Sequence, residues 1–189
     1  GFVFCARSPR NLTLASAAAL IADVPALVST VALFMDPEPE QVQALLDTAP
    51  VSLLQVHGSE CAAFCESFGH PYIKAVAMGG AGVDVGRVAV EHPRAAGFLL
   101  DGNVVGQRGG LGDVFDWTRI PPGFDRPLIL AGGLSPDNVR LAVACHHPYA
   151  VDVSSGVESS PGVKDPERIA AFMREVQHGS DVERNGADA

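Results

Sequence analysis

Basic residues are scarce in this chain: 13 Lys and Arg stand against 22 Asp and Glu, for a net charge of −9. Nucleic acids and anionic membrane surfaces require a basic footprint, so neither is an expected partner. Aromatics are also few, at 6% with one Trp and two Tyr, which leaves aliphatic side chains and alanine to build the core. The most apolar stretch, Ala15 to Met35, is broken by Asp23 and Pro25 and cannot cross a bilayer as one helix. Four cysteines, Cys5, Cys61, Cys65 and Cys145, lack metal-ligand spacing, since Cys61 and Cys65 fall one helical turn apart. Cys61, Cys65 and Cys145 are expected on helices as packing residues, with no metal site. Nothing argues for an oxidising compartment, so reduced thiols in the cytoplasm are the expectation.

What is present is a chain of 189 residues, 47% apolar, with 20 glycines and 14 prolines. A domain of this size buries roughly 70% of the surface that its unfolded chain exposes, enough for a core without metal or disulfide. Seven short apolar runs read as strands: Phe2 to Phe4, Ser29 to Phe34, Leu53 to Val56, Ile73 to Val76, Gly97 to Leu100, Leu128 to Leu130 and Ala150 to Val153. Each is nearly continuous rather than alternating, as parallel strands covered on both faces are.

Helix signals separate them. Thr13 caps a helix through Ala22, Pro37 opens one to about Asp47, and Ser59 caps Glu60 to Phe68 with Gly69 ending it. Asp84 to Glu91, Asp113 to Arg119, a helix from Ser135-Pro136-Asp137 to about Cys145, and one from Pro166 to near His178 follow. Strict alternation predicts parallel βαβ units. Seven units at this spacing fit an α/β fold of the (β/α)8 TIM-barrel type with its first strand and helix outside the chain. Residues 1–178 are expected to form this single, N-terminally incomplete domain, and the polar residues 179–189 a disordered tail.

In a parallel barrel the active site lies beyond the carboxyl ends of the strands. The polar groups there are Ser8-Pro9-Arg10, Asp36, Gln55 with His57-Gly58, Lys74, Asp101, Gly132-Gly133 and Asp152 with Ser154-Ser155-Gly156. Together with Gly109-Gly110-Leu111-Gly112, the last glycine-rich turns before helices expose backbone N–H groups that bind phosphate without a basic side chain. Such turns also occur for tight geometry alone, but three of them in one chain favour the phosphate cradle. Asp101, at the mouth of an apolar strand, suits a general acid, because desolvation raises a carboxyl pKa. Its alternative is a loop cap or an ion-pair partner. The planar fork of Arg10 suits a substrate carboxylate or a surface ion pair. His57 reads as a proton shuttle or a hydrogen-bonded rim residue. Asp152 reads as an acceptor for substrate hydroxyls or as a loop anchor.

Taken together, these segments resemble the phosphoribosylanthranilate isomerase family of tryptophan biosynthesis. The matching pieces are Gly1-Phe2-Val3-Phe4 with Ser8-Pro9-Arg10, Leu54 to Gly58, Lys74-Ala75, Leu99-Leu100-Asp101, Gly109 to Gly112 with Phe115-Asp116-Trp117, Leu130 to Leu134 with Asn138-Val139, and Val151 to Glu158 with Pro161 to Asp165. They stand in the family's order and cover the chain to about residue 176. The resemblance implies an Amadori rearrangement of N-(5-phosphoribosyl)anthranilate to the 1-deoxyribulose 5-phosphate derivative, with no metal or organic cofactor, in a monomer or homodimer. It implies Asp101 as the acid, Arg10 on the anthranilate carboxylate, and Gln55, His57 and Asp152 among the substrate-binding residues. It implies Gly109, Gly110, Gly112, Gly132, Gly133, Ser154, Ser155 and Gly156 as the phosphate cradle.

Two departures stand out. Leu111 replaces a small hydroxyl residue, which leaves only backbone donors there. The family's general base is a cysteine on the first strand, in a Lys-Ile-Cys-Gly type motif, and residues 1–189 contain no such motif. Cys5 follows the second strand of the family pattern, toward the anthranilate end, and does not replace it. The base is therefore expected on a βα unit ahead of Gly1. The competing readings are a phospholigand-binding barrel without catalysis and a metal-dependent pentose-phosphate epimerase, for which only His57 is suitably placed.

Overall fold

The computed structural model describes residues 1–80, 82–102 and 115–186. Its elements alternate: β1 (Phe2–Phe4), α1 (Leu14–Ala22), β2 (Val31–Phe34), α2 (Pro39–Thr48), β3 (Leu53–Val56), α3 (Ala62–Glu66), β4 (Tyr72–Ala77), α4 (Val85–Glu91), β5 (Gly97–Asp101), β6 (Leu128–Leu130), α5 (Val139–His146), β7 (Ala150–Val151) and α6 (Pro166–Gly186). The order β1 to β7 in one seven-stranded sheet follows the chain, the α/β arrangement expected from the alternation. A short 3-10 turn at Ser155–Val157 and the hairpin after it are new relative to the sequence-based expectation. This antiparallel hairpin, β8 (Glu158–Ser160) and β9 (Val163–Lys164), turns at Pro161-Gly162 with Gly162 at φ +86°. Among the described residues no helix is long and apolar enough to cross a membrane.

The chain divides into two compact units, Gly1–Val76 with Asp84–Phe98, and Ala77–Val83 with Leu99–Ala189. In the first, β1 pairs in parallel with β2, β2 with β3 and β3 with β4, with Phe4 opposite Phe34, Leu33 opposite Gln55 and Val56 opposite Lys74. Phe4 and Phe34 stack at 5.2 Å. Its core is aliphatic with few aromatics: Ala17, Ala32, Phe34, Val42, Leu45, Leu54, Val56 and Tyr72 are fully buried or nearly so. In the second unit β6 and β7 pair in parallel, and the Ala131 N–H donates to the Leu100 carbonyl at 2.8 Å. Leu99, Leu100, Leu130, Val139, Ala142 and Phe172 form its core.

Several helix limits differ from the sequence reading, each for a local reason. Helix α2 starts at Pro39 rather than Pro37, because proline at the first helical position loses no hydrogen bond. The Glu38 N–H there is satisfied by Gln41 Oε1 at 3.1 Å. Helix α3 covers only Ala62–Glu66, since Ser59 and Glu60 direct their side chains elsewhere. Helix α5 starts at Val139, and Ser135 to Asn138 form a separate turn. Of the span expected helical over Asp113 to Arg119, Trp117–Arg119 is a short 3-10 turn capped by Asp116; residues 113 and 114 lie outside the described residues. Strand β7 stops at Val151, although Asp152 still donates its N–H to the Leu130 carbonyl at 2.9 Å. Helix α6 continues beyond His178 to Gly186. No proline interrupts it, Phe172 anchors it in the core, and the Ser180 hydroxyl donates to the Val176 carbonyl at 3.1 Å.

Two of the three cysteines expected to pack on helices do not. Cys65 is buried, but Cys61 and Cys145 are exposed: Cys61 is the residue before α3, and Cys145 lies on a solvent-facing part of α5. Burial pushes the Cys65 thiol up to about 11, which keeps it protonated and unreactive.

Candidate active site

At the carboxyl ends of its strands the first unit carries a polar group that the sequence showed only in part. Arg10 ends the loop after β1, where its N–H is held by Ser8 Oγ at 3.1 Å and the Ser8 N–H by the Cys5 carbonyl at 2.8 Å. Gln55, on β3, is buried, and its Nε2 lies 3.4 Å from His57 Nδ1. The His57 N–H donates to the Phe34 carbonyl at 2.9 Å. The structure thus brings Gln55 and His57 together as neighbours on one turn.

Around that turn lies a network of charged groups. Asp36, just after β2, adopts a left-handed φ of +46°, which a short polar residue tolerates better than most. Its Oδ1 accepts from the Ser59 N–H at 2.7 Å and the Ser59 hydroxyl at 2.8 Å. The bond from the Ser59 backbone leads the causes that hold the Asp36 carboxyl below the usual range. A Cβ on Gly58 would fall 2.3 Å from that same Oδ1, so any larger residue would push the Asp36 carboxylate away from Ser59. Glu60 accepts from the Gly58 N–H at 2.9 and 3.1 Å and from the Asp36 N–H at 2.8 Å. Lys74, on β4, donates to Glu60 Oε2 at 2.9 Å and to the Gly58 carbonyl at 2.6 Å. The Glu60 and Lys74 side chains are 3% and 7% exposed. This explains why Ser59 and Glu60 leave the helix to which their sequence assigned them. The signal available in the sequence was Asp36 after the second apolar run and Lys74 as the one charge inside the fourth; Glu60 gave none, because a Glu there reads as an ordinary first-turn acid.

The second unit carries the acid. Asp101 ends β5, is buried, and accepts the Met78 N–H at its carbonyl at 2.7 Å. Gly132, just after β6, has φ +76°, and a Cβ there would lie 2.1 Å from the Gly102 nitrogen and 2.8 Å from Asp101 Oδ1. The Gly132-Gly133 turn is therefore pressed against the acid, and only glycine permits the approach.

Asn138 holds that turn from the other side. Its Nδ2 donates to the Gly133 carbonyl at 2.9 Å and its Oδ1 accepts the Ser135 N–H at 2.9 Å. Asn138 is a residue that the site reading missed, although the turn's Asx chemistry was visible. The loop after β7 packs on the loop after β6, since a Cβ on Gly156 would fall 1.9 Å from the Leu134 carbonyl oxygen. Lys164 on β9 fixes that loop further, donating to the Ser154 carbonyl at 2.8 Å and to the buried Glu158 at 2.9 Å. Among the described residues the N–H groups of Gly132 and Gly133 donate to no protein acceptor. Gly109, Gly110 and Gly112, the third glycine turn, lie outside the described residues.

Such an arrangement offers a buried carboxyl beside undonated amides in one unit, and a guanidinium with a Gln–His pair in the other. The first suits proton donation next to an anion, and the second suits recognition of a carboxylate and hydrogen-bonding groups.

Comparison with known proteins narrows these chemistries. An N-(5'-phosphoribosyl)anthranilate isomerase from Pseudomonas fluorescens Pf-5 is 48% identical over 181 residues, covering 96% of this chain and 86% of the relative. The crystal structure of phosphoribosyl anthranilate isomerase from Thermotoga maritima is 35% identical and superposes with a TM-score of 0.83 over 94% of this chain and 86% of that one. A structure of the same enzyme in complex with reduced 1-(o-carboxyphenylamino)-1-deoxyribulose 5-phosphate is 34% identical, with a TM-score of 0.77 over 94% of this chain and 86% of that one. The family model for N-(5'-phosphoribosyl)anthranilate isomerase matches residues 1–175, and the chain belongs to that family.

Proposed function

We infer that this chain catalyses the isomerisation of N-(5'-phosphoribosyl)anthranilate to 1-(o-carboxyphenylamino)-1-deoxyribulose 5-phosphate in tryptophan biosynthesis. The observation that carries this reading is Asp101, buried at the end of β5 with the Gly132 turn against its Oδ1. Asp101 protonates the furanose ring oxygen as the C1–O bond breaks, and the anilino nitrogen lone pair forms the C1=N bond of an iminium. Removal of the C2 proton then gives an enamine, whose enol tautomerises to the C2 ketone. Each bond change is coupled to a proton transfer, so one acid, Asp101, and one base at C2 carry the reaction.

Arg10 takes the anthranilate carboxylate as a bidentate partner, and Gln55, His57 and Asp152 take the hydrogen-bonding groups of the substrate. The amides of Gly132, Gly133 and Gly156 with Ser154 and Ser155, and those of Gly109, Gly110 and Gly112, take the phosphate. The analogue in the complex named above carries both anions, a carboxyphenyl and a 5-phosphate. In this reading the C2 base comes from a βα unit beside β1 that completes an eight-stranded barrel, a reading the seven-stranded order of the parallel sheet supports. The enzyme works in the cytoplasm, as a monomer or homodimer.

The test is the Asp101→Asn variant in the full-length enzyme, with product formation followed by NMR. Loss of a general acid is expected to lower kcat by about 10² to 10⁴ while KM changes little. Undiminished kcat would remove Asp101 from the acid role.

A further inference from the structure

Glu60 and Lys74 are both buried, and neither has a part in the proton transfers above. A buried ion pair rarely stabilises a fold more than apolar side chains of the same volume would, because desolvating both charges offsets their attraction. Its reason is therefore sought in what it holds. Apart from the Asp36 N–H on Glu60, its contacts converge on one turn. Glu60 receives the Gly58 N–H on both oxygens, and Lys74 reaches the Gly58 carbonyl at 2.6 Å. Asp36, itself tied to Glu60 through its N–H, takes the next amide, that of Ser59, at 2.7 Å. The His57 N–H is already fixed to the Phe34 carbonyl. The turn His57-Gly58-Ser59 is thus gripped by Glu60 in its own loop and by groups of β2 and β4, the strands on either side of β3, directly beside the Gln55–His57 pair.

We propose that the Glu60–Lys74 pair is a positioning device that sets the His57-Gly58-Ser59 turn, and through it the imidazole of His57 beside Gln55. The proposal rests on the reading that His57 faces the substrate. Charges serve here because an apolar pair of the same volume has no donor for the Gly58 carbonyl and no acceptor for its N–H. Glu60 and Lys74 are positioning residues, and they act only through the turn.

The experiment compares the full-length wild type with the Glu60→Gln, Lys74→Met double variant, in native and His57→Gln backgrounds. The double variant leaves no buried charge at positions 60 and 74 and keeps one amide acceptor, so it is expected to fold. It loses the donor to Gly58. With His57 present, kcat/KM is expected to fall about 10²-fold, the scale of a misplacement near 1 Å, and the His57 ring-proton resonances to shift. In the His57→Gln background the same two substitutions should cost no more than about 2-fold, because the route through His57 is already gone. Equal losses in both backgrounds overturn the proposal, and so do wild-type kcat/KM and unshifted resonances in the double variant. Should the double variant not fold, Glu60→Asp keeps the charge, withdraws the carboxylate by one methylene and is read in the same way. A wild type that does not isomerise N-(5'-phosphoribosyl)anthranilate overturns the functional reading alone, and the His57 resonances then decide the positioning role.

Discussion

At Gly132 two demands coincide. The backbone needs φ +76°, and the space where a side chain would start is taken by the Gly102 nitrogen and the Asp101 carboxyl. The sequence marked this residue as one of several glycines suited to anion binding, and the structure adds a second task, holding the acid in place. The Gly132→Ala variant separates the two. A methyl group there meets backbone at 2.1 Å, which no side-chain rotation relieves, so the loop must move and Asp101 with it. Strain at such a φ is expected to cost about 1 to 3 kcal/mol of stability. Displacing the acid should lower kcat by about 10²-fold. Urea unfolding and steady-state kinetics read the two effects independently; a variant of lowered stability with wild-type kcat would show that the turn does not hold Asp101.

Among the elements, β4 and α4 show how much a periodic pattern leaves unsaid. Both were placed by the sequence to within a residue or two: Asp84 caps α4 through a bond to the Arg87 N–H at 3.2 Å, and His92 ends it before Pro93. Neither pattern indicated that His92 turns inward to lie 3.3 Å from the Tyr72 hydroxyl, fully packed against the base of β4. Burial holds the His92 imidazole below its ordinary 6.5, and the nearby Lys74 charge adds to this. A group whose folded pKa is depressed binds fewer protons in the folded state than in the unfolded chain. Its contribution is therefore complete above about pH 6.5 and is lost as pH falls below that value. The urea midpoint is expected to fall between pH 7.5 and pH 5.5, and to fall less in His92→Gln, which keeps a polar partner for Tyr72. Identical pH dependence in the two proteins would show that the proton affinity of His92 does not change on folding.

For the whole molecule, the alternation of apolar runs with capped helical segments was legible because it is local, with each run and cap declaring itself within a few residues. The glycine turns and Asp101 were legible for the same reason. What stayed hidden is longer-range in sequence: the Glu60–Lys74 pair and the hairpin whose Lys164 reaches back to Ser154. Each depends on a partner several to many residues away, and periodicity carries no record of such pairings.

Net charge is the whole-molecule property that the sequence did give, and it bears on how the substrate arrives. A phosphate and a carboxylate approach a protein of charge −9 and are held, in the reading above, largely by amide dipoles whose reach is a few ångströms. The long-range field therefore opposes the encounter instead of steering it. Salt shortens the Debye length from about 14 Å at 0.05 M to about 4 Å at 0.5 M, which screens that repulsion and leaves the short contacts intact. Over this range kcat/KM is expected to hold or to rise. A steep fall would mean that Lys and Arg side chains draw the phosphate in, and would replace the amide cradle by a basic one.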